Sequence, residues 1–279
     1  MHPVSSRALI LGLGTCLVLS AALARAQVPG AALDARTLPL DDLRHFATRY
    51  QYEDVTTIDP WQDVSVEYAQ RFGFGTMVAG VNAAQRYRQN GVQFELQAYP
   101  RLSRRSYLFI DGAWSNSKEV YLPLRLAAEP YYNFSNGWET SAGARYLQTP
   151  GTDVVTYTGT LAKYFGNYWL SGRPSYSPAT TGNSYGWEVT GRRYFSDRYD
   201  YLTLLVGRSI GIDAEAKDPL RFTRQAKLGD LLARLERRQP IGRTRSRITY
   251  GIGYEREEIA PGRNRLHRSA TLGLEWFTP

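Results

Sequence analysis

The chain has 279 residues, a formal net charge of +8 at neutral pH and one cysteine, Cys16. A single cysteine excludes an intramolecular disulfide, and 26 acidic residues interleaved with 34 basic ones argue against a nucleic-acid-binding protein. Beyond the N-terminal region, no segment approaches the ~18–20 consecutive apolar residues that a membrane-spanning helix needs.

The N-terminus has the anatomy of a secretory signal. Arg7 supplies a positive charge, residues 8–23 form an apolar run, and residues 24–26 read Ala-Arg-Ala, which is an A-x-A cleavage site. These features predict a signal peptide over residues 1–26 that is removed before Gln27. A lipoprotein anchored through Cys16 is the weaker alternative, because the residues before this cysteine make a poor lipobox.

A segment of mixed character follows the signal. We assign residues 27–48 to a periplasmic leader, within which residues 39–46 have the composition of one or two helical turns. His45 lies in this leader and has no evident partner, so we expect it to be solvated. Residues 49–279 are the predicted folded domain.

The sequence of nearly the whole domain predicts β-strands separated by turns. Apolar and polar residues alternate with a period of two, as in strands with two unlike faces. The predicted strands are 49–57, 61–72, 76–89, 91–100, 105–116, 124–135, 138–149, 153–165, 168–177, 183–195, 199–210, 221–238, 243–257 and 264–277. Fourteen strands return the C-terminus to the side from which the first strand starts, and twelve is the fallback count.

The two faces of these strands differ in a way that indicates a membrane. In residues 153–165, Val155, Tyr157 and Leu161 alternate with three threonines. The polar faces contain Arg, Glu, Thr, Ser and Gly with almost no Lys, whereas a water-exposed sheet surface is usually rich in Lys. The apolar faces place Trp and Tyr near strand ends, as in the aromatic girdles of outer-membrane barrels. Since a membrane-spanning sheet must close on itself, we predict an all-β, antiparallel transmembrane β-barrel in the bacterial outer membrane.

The connections between the predicted strands also alternate. One set is short, as at Phe72–Gly75 and Phe165–Asn167, and we assign it to the periplasmic side. The other set includes the longer segments 117–123, 178–182, 211–220 and 258–263, which we assign to the outside. One segment is ambiguous, because residues 226–237 place leucines at helical spacing; the strand count favours a strand there.

Five stretches of the domain resemble the YaiO-like family of outer-membrane β-barrel proteins. They are Asp59-Pro-Trp61, GVQFELQAYPRL from Gly91, KYFGNYW from Lys163, GRRYFSDRYDYLTL from Gly191 and YGIGYERE from Tyr250. The resemblance spans about Tyr50 to Phe277 and implies an outer-membrane barrel without established catalytic residues. Some relatives are associated with exopolysaccharide systems. The C-terminus departs from the usual assembly signal, since Thr278 and Pro279 follow Phe277.

One pair of residues has the chemistry of a hydrolase. His267 and Ser269 are two positions apart on one predicted strand and therefore point to the same face. An acyl hydrolase that acts on lipid A needs such a pair together with a carboxylate. The pair is predicted to face inward, away from acyl chains, and Ala270 stands where an asparagine would be expected. We therefore treat catalysis as the alternative and predict a protein that is not an enzyme.

Charged residues on the predicted inward face form the more extensive candidate site. They either pair across strands and fill the lumen, or line a path that selects its cargo. The set comprises Glu67, Arg86, Arg88, Glu95, Asp111, Arg145, Arg173, Glu188, Arg192, Arg245, Arg247, Glu255 and Glu275. Other arginine pairs, Arg104-Arg105 and Arg237-Arg238, are expected to be solvated beside periplasmic turns.

These observations suggest a non-enzymatic barrel for passage or surface display of exopolysaccharide or other anionic envelope material. A closed structural or adhesive barrel is a further alternative. The expected partners are outer-membrane lipid and lipopolysaccharide, the barrel assembly machinery and a polysaccharide secretion system. No metal or other cofactor is predicted, because no Cys/His cluster or acidic loop stands out.

Overall fold

The computed structural model describes residues 44–117, 119–149, 152–178, 183–211, 228–242, 244–260 and 262–278. They form fourteen antiparallel strands in one closed barrel, in which each strand pairs with its neighbours along the chain and β1 pairs with β14. The strands are β1 Arg44–Val55, β2 Trp61–Phe72, β3 Gly75–Arg86, β4 Gln89–Pro100, β5 Ser106–Ser115, β6 Leu124–Asn133, β7 Trp138–Thr149, β8 Thr152–Phe165, β9 Tyr168–Ser177, β10 Ser184–Tyr194, β11 Tyr201–Gly211, β12 Leu228–Pro240, β13 Arg247–Ala260 and β14 Arg263–Thr278.

The fourteen predicted strands are all present, and the ambiguous segment is a strand, because Leu228–Pro240 is β12. The first strand differs from its prediction. It begins at Arg44, so residues 44–48 belong to the barrel wall and not to the leader or to a helical turn. The reason is the partner strand, since Arg44 is paired with Thr278 and His45 with Phe277. The predicted signal peptide and the remainder of the leader lie outside the described residues.

The barrel has its apolar side chains on the outside. Large hydrophobic residues such as Phe94, Leu96 and Ile252 are about half exposed or more. In contrast, Asp63 and Thr249 point inward and are almost completely buried. A water-soluble protein has the opposite arrangement, and this one is typical of a barrel surrounded by hydrocarbon. The predicted outward face of β8, with Val155, Tyr157 and Leu161, is exposed as expected. No helix of the described residues has the length and apolarity to cross a bilayer.

The two ends of the barrel are distinct. The short connections, such as residues 73–74 and 166–167, lie at the same end as the start of β1 and the end of β14. Gly166 has φ 54°, a left-handed conformation that glycine adopts without strain and that lets the chain reverse in two residues. Short turns mark the periplasmic end of an outer-membrane barrel. The outer end is more varied than predicted, because β13 and β14 extend through most of the predicted loop 258–263.

Candidate functional site: the charged barrel interior

The structure places eleven of the predicted inward charges on the interior face of the barrel and two elsewhere. The two exceptions are Arg88 and Arg245. Arg88 lies in the turn between β3 and β4, with φ 61°, and its exposed guanidinium pairs with Asp59 at 2.5 Å. That bond and the positive charge lower the pKa of Asp59. Arg245 is exposed in the turn before β13. Both predictions were wrong because the alternation was extended past the ends of the strands.

His267 is the centre of a buried cluster near the outer end of the barrel. Its Nδ1 lies 2.6 Å from Glu53 Oε1 on β1, and its Nε2 lies 2.9 Å from Glu257 Oε2 on β13. The Trp61 ring packs edge-on against the imidazole at 5.2 Å, and Gln51 donates a hydrogen bond to Glu53 at 3.0 Å. This arrangement suits an imidazolium, since only the charged ring donates from both nitrogens.

The contacts of His267 in this cluster argue against the hydrolase alternative. A serine hydrolase requires a histidine nitrogen that accepts the serine proton. Both nitrogens of His267 lie against carboxylates, and neither is bonded to Ser269. The predicted pair shares the inward face of β14 but does not form the nucleophile–base contact of a hydrolase. The inferred role of His267 is therefore to neutralise two buried carboxylates.

A second ion pair lies next to this cluster. Arg86 on β3 donates to Asp63 on β2 at 3.0 Å, and both side chains are buried. The guanidinium also lies over the rings of Trp61 and Tyr121, 5.2 and 5.6 Å from their centroids. Tyr121 comes from the connection between β5 and β6, which folds into the barrel mouth. Trp61 thus joins the two clusters, and the outer connection covers them.

Further pairs extend from the wall into the lumen. Arg125 on β6 binds Asp111 at 2.8 Å and Glu95 at 3.0 Å. Arg173 on β9 reaches past β8 and β7 to Glu129 on β6, at 2.7 Å. The pairs Arg125–Glu95 and Arg173–Glu129 tie together strands that are not neighbours in the sheet. The half of the barrel formed by β1–β6 is consequently filled with bonded side chains.

In the other half of the barrel, several inward charged residues are more accessible. Inward residues of β7–β14 such as Arg145, Glu188 and Arg234 are only partly buried. Arg145, Arg173 and Arg234 all act electrostatically on the one carboxylate of Glu188. Arg234 makes no hydrogen bond or ion pair with the described residues, and its Nε and Nη1 atoms are buried without a partner. Sequence analysis missed Arg234, because its segment was ambiguous between helix and strand.

The space beside Arg234 depends on a glycine. Gly253 pairs with Arg234 across β12 and β13 and with Ser269 across β13 and β14. A Cβ atom at Gly253 would lie 3.6 Å from Arg234 Nε and would collide with the Ser269 hydroxyl. An alanine here would make an ordinary contact with the guanidinium, and the Ser269 side chain would have to shift.

The periplasmic end is closed by aromatic rings and arginines. Tyr199, in the turn between β10 and β11, packs on Phe277 at 4.9 Å. Arg238 lies 4.9 Å from the Tyr199 ring centroid and forms an ion pair with Glu275. Arg247 on β13 pairs with Asp197 of the same turn at 3.1 Å. The turn is thereby held across the mouth of the barrel.

Two sequence-based predictions at this end were wrong. Arg238 is buried, because it points inward from β12 and is not solvated beside a turn. His45 is in β1 and stacks on Phe277 at 5.2 Å. Nearby, Arg192 is buried with its guanidinium 4.1 Å from the Tyr201 ring centroid. Arg104 and Arg105 are exposed, as predicted.

In the described part of the chain, no group of three His, Cys, Asp or Glu residues has the arrangement of a metal site.

Comparison with known proteins agrees with this architecture. The profile of the YaiO membrane beta barrel domain matches residues 44–215, which is more than half of the chain. The chain belongs to the YaiO family. The matched region of the YaiO barrel starts at the first residue of β1 and includes the inward charges from Glu67 to Arg192. No curated protein sequence matches the chain significantly.

Solved structures show the same fold at low sequence identity. The Acinetobacter baumannii outer membrane protein Omp33 is 12% identical, with a TM-score of 0.53 over 85% of this chain and 99% of that one. A bacterial polysaccharide outer membrane secretin is 10% identical, with a TM-score of 0.53 over 86% of this chain and 100% of that one. The YaiO barrel is thus a bacterial outer-membrane protein with a porin-like fold in a lipid environment.

Proposed function

We propose that the YaiO barrel is a non-enzymatic passage for anionic envelope material, with acidic polysaccharide as the substrate class. The observation that supports this most directly is Arg234, a luminal guanidinium without a bonded partner among the described residues. Unpaired guanidinium donors in a protein interior are unfavourable unless water or an anion binds them. A carboxylate or sulfate group of a glycan supplies the acceptor geometry that arginine prefers.

The surroundings of Arg234 strengthen this assignment. Arg145 and Arg173 act on the same carboxylate, Glu188, so three arginines converge on this place. Arg173 already pairs with Glu129, and its Nη1 is buried without a hydrogen bond. The three arginines come from β7, β9 and β12 and face the same part of the lumen around Glu188. Charged rings of this kind select ions of the opposite sign in pores.

The proposal includes a closed state. Tyr199 and its turn occupy the periplasmic mouth, so passage requires that the turn move away. In this scheme a polysaccharide secretion system in the periplasm is the partner that delivers cargo and displaces the turn. The barrel assembly machinery is the partner for insertion. The polysaccharide outer membrane secretin shares the fold only, and the substrate class here is argued from Arg234.

Planar-bilayer recordings test the proposal. The Tyr199→Ala variant is expected to conduct, to prefer anions in a salt gradient and to be blocked by acidic oligosaccharide but not by neutral dextran. In that background, Arg234→Gln should reduce both the anion preference and the block, whereas Arg234→Lys should retain part of each. Arg104→Gln removes the same charge at an exposed periplasmic turn and serves as the control.

A negative result is equally informative. If neither the full chain nor the Tyr199→Ala variant conducts or binds acidic oligosaccharide, the barrel is not a passage. The tightly bonded β1–β6 half then favours the second candidate, a closed structural or adhesive barrel that acts through its outer connections. That half contains an ion pair between non-neighbouring strands, Arg125 with Glu95, of the kind that a rigid support would require.

A further inference from the structure

Three arginines point outward near the outer ends of strands in the sector β11–β14. Arg208 is on β11, Arg256 on β13 and Arg268 on β14, and all three are exposed. Each lies on the lipid-facing side of its strand, in line with apolar residues closer to the periplasm. Their position on this face is unusual, because an outward charge in the hydrocarbon region of a barrel is destabilising. We call these residues the outer arginine cluster.

The strand register brings the cluster together. Arg208 and Arg256 both pair with Leu231, from the two sides of β12. With strands ~4.8 Å apart, their Cα atoms are about 10 Å from each other. Arg268 pairs with Tyr254, two positions before Arg256, and is therefore its diagonal neighbour at about 7–8 Å. Three long side chains at these separations can converge on one headgroup.

Elsewhere the outer rim has a different character. The outward residues near the outer ends of β2, β3, β4, β7 and β8 are neutral or acidic: Gln62, Gln85, Asn90, Gln148 and Asp153. Among the described strand ends, outward-pointing arginines are thus confined to the sector of β11–β14, and Arg88, in the outer turn between β3 and β4, is paired with Asp59. A generally basic surface would not produce this asymmetry. An uneven distribution of charge of this kind is expected if a ligand binds at one sector of the rim.

The height of the cluster matches a lipid headgroup. Trp276 faces outward near the periplasmic end of β14, eight positions after Arg268. At a rise of ~3.3 Å per residue this is about 26 Å along the strand, or about 20 Å along the barrel axis for a tilt of ~40°. The apolar band of such barrels is ~25 Å tall. The Arg268 backbone therefore lies about 5 Å below the outer edge of this band. Its long side chain can extend to the edge, where phosphate groups of the outer leaflet begin.

The guanidinium groups are available for a ligand. Arg208 and Arg256 form no ion pair or hydrogen bond with the part of the chain that the structure describes. Arg268 has a loose contact with Asp54 at 3.6 Å, in which both side chains are more than half exposed. Trp187 is paired with Arg208 across β10 and β11 and supplies an aromatic ring at the same level. Arginine binds phosphate oxygens through two parallel hydrogen bonds.

We propose that the outer arginine cluster binds the phosphate groups of the lipopolysaccharide headgroup, lipid A. The acyl chains of the same molecule would lie on the apolar surface directly below, which includes Leu204, Ile252 and Leu272. This surface is exposed and continuous with the cluster along β11, β13 and β14. The proposal concerns the outer wall and is independent of any passage through the lumen. The proposal predicts a specific lipid-binding site on the outer wall, in addition to the general contact of the barrel with membrane lipid.

Native mass spectrometry of the full chain in detergent tests this site. The probes are bis-phosphorylated lipid A, the same lipid A after dephosphorylation, and inorganic phosphate as a competitor. The triple variant Arg208→Gln, Arg256→Gln, Arg268→Gln is compared with a control triple, Arg101→Gln, Arg104→Gln, Arg105→Gln, on the exposed periplasmic turn. All variants are checked for folding by the mobility of unboiled samples in gels. If the first triple does not fold, the single variants at 208 and 256 replace it.

The proposal expects wild-type chain to prefer bis-phosphorylated lipid A over the dephosphorylated form by about tenfold to a hundredfold. The first triple variant should lose that preference and the control triple should keep it. Equal binding of the two lipid forms by the wild type would overturn the proposal, as would unchanged binding by the first triple variant. Complete displacement by millimolar inorganic phosphate would identify a free-phosphate site and would also overturn it.

Discussion

Tyr199 packs its ring on Phe277, with the two centroids 4.9 Å apart. Tyr199 belongs to the turn between β10 and β11, whereas Phe277 is near the end of β14, so β12 and β13 separate them in the wall. The contact exists only because the turn leaves the rim and folds across the opening. Arg198 and Tyr199 are also close enough to affect Arg71 on β2 electrostatically, on the far side of the barrel. The turn therefore closes the periplasmic mouth.

Removing the Tyr199 ring should open this mouth. In Tyr199→Ala the contacts with Phe277 and Arg238 are lost, and we expect a nearly silent barrel to become steadily conducting in planar bilayers. Tyr199→Phe retains the ring and should remain closed. Equal conductance of wild type, Tyr199→Phe and Tyr199→Ala would show that the turn does not control the opening.

Acid should weaken the same turn. Burial raises the pKa of Asp200, but hydrogen bonds from Ser196 and Arg237 outweigh burial and hold the pKa below the ordinary value of 3.8. A carboxyl group of this kind stabilises the folded state above its unfolded pKa, and the stabilisation is lost as the pH falls through the folded pKa. The closed turn should thus be unaffected between pH 7 and 5 and should loosen below about pH 3.8.

The comparison that isolates Asp200 is its amide variant. Asp200→Asn cannot ionise, so its conductance should lack the part of the acid response that depends on this residue. The other carboxyl groups titrate alike in both proteins and cancel in the difference. Superimposable conductance–pH curves for wild type and Asp200→Asn would contradict the assignment.

His267 should matter for stability. His267→Gln leaves Glu53 and Glu257 buried without the cation between them, and breaking a buried ion pair in this way costs about 3–5 kcal/mol. We expect a lower urea midpoint for unfolding from lipid vesicles. Ser269→Ala is the matched control, since it alters the next inward position of the same strand, and its midpoint should stay close to that of the wild type.

Ser269→Ala also addresses the hydrolase alternative. Because His267 is bonded to two carboxylates and not to Ser269, the substitution should leave lipid A unchanged. Mass spectrometry of lipid A from cells with the wild-type or variant protein measures this directly. A difference in lipid A acylation between cells with the wild-type protein and cells with the variant would support the hydrolase alternative.

The strands of the barrel wall are well predicted from the sequence, because their signal depends only on residues close together in the chain. Alternation with a period of two is a property of each strand alone, so the bounds of β2 and β7 are predicted to the residue and Val155 and Thr160 are assigned to the correct faces. The same alternation cannot detect where a strand ends. Arg88 and Arg245 follow the pattern but lie in turns, so both were misplaced.

The site is less predictable because it depends on register. Glu53, His267 and Glu257 meet only when β1 and β13 are both aligned against β14, and the alignment of β1 with β14 joins residues more than 200 positions apart in the chain. Alternation predicts which face of the barrel wall a residue is on, but it does not predict the position of that residue along the barrel axis relative to residues of other strands. Tyr199 is harder still to predict, since nothing in the composition of a short turn indicates that it bends inward.

The seam between β1 and β14 has a consequence for biogenesis. The first strand pairs along its whole length, from Arg44 with Thr278 to Val55 with His267, so its hydrogen bonds on that side cannot form until β14 has been synthesised. Until then the chain has two open edges that hydrocarbon would not tolerate. A nascent chain truncated within β14 would have to be held by a chaperone or degraded by a protease, because no shorter product completes the circle.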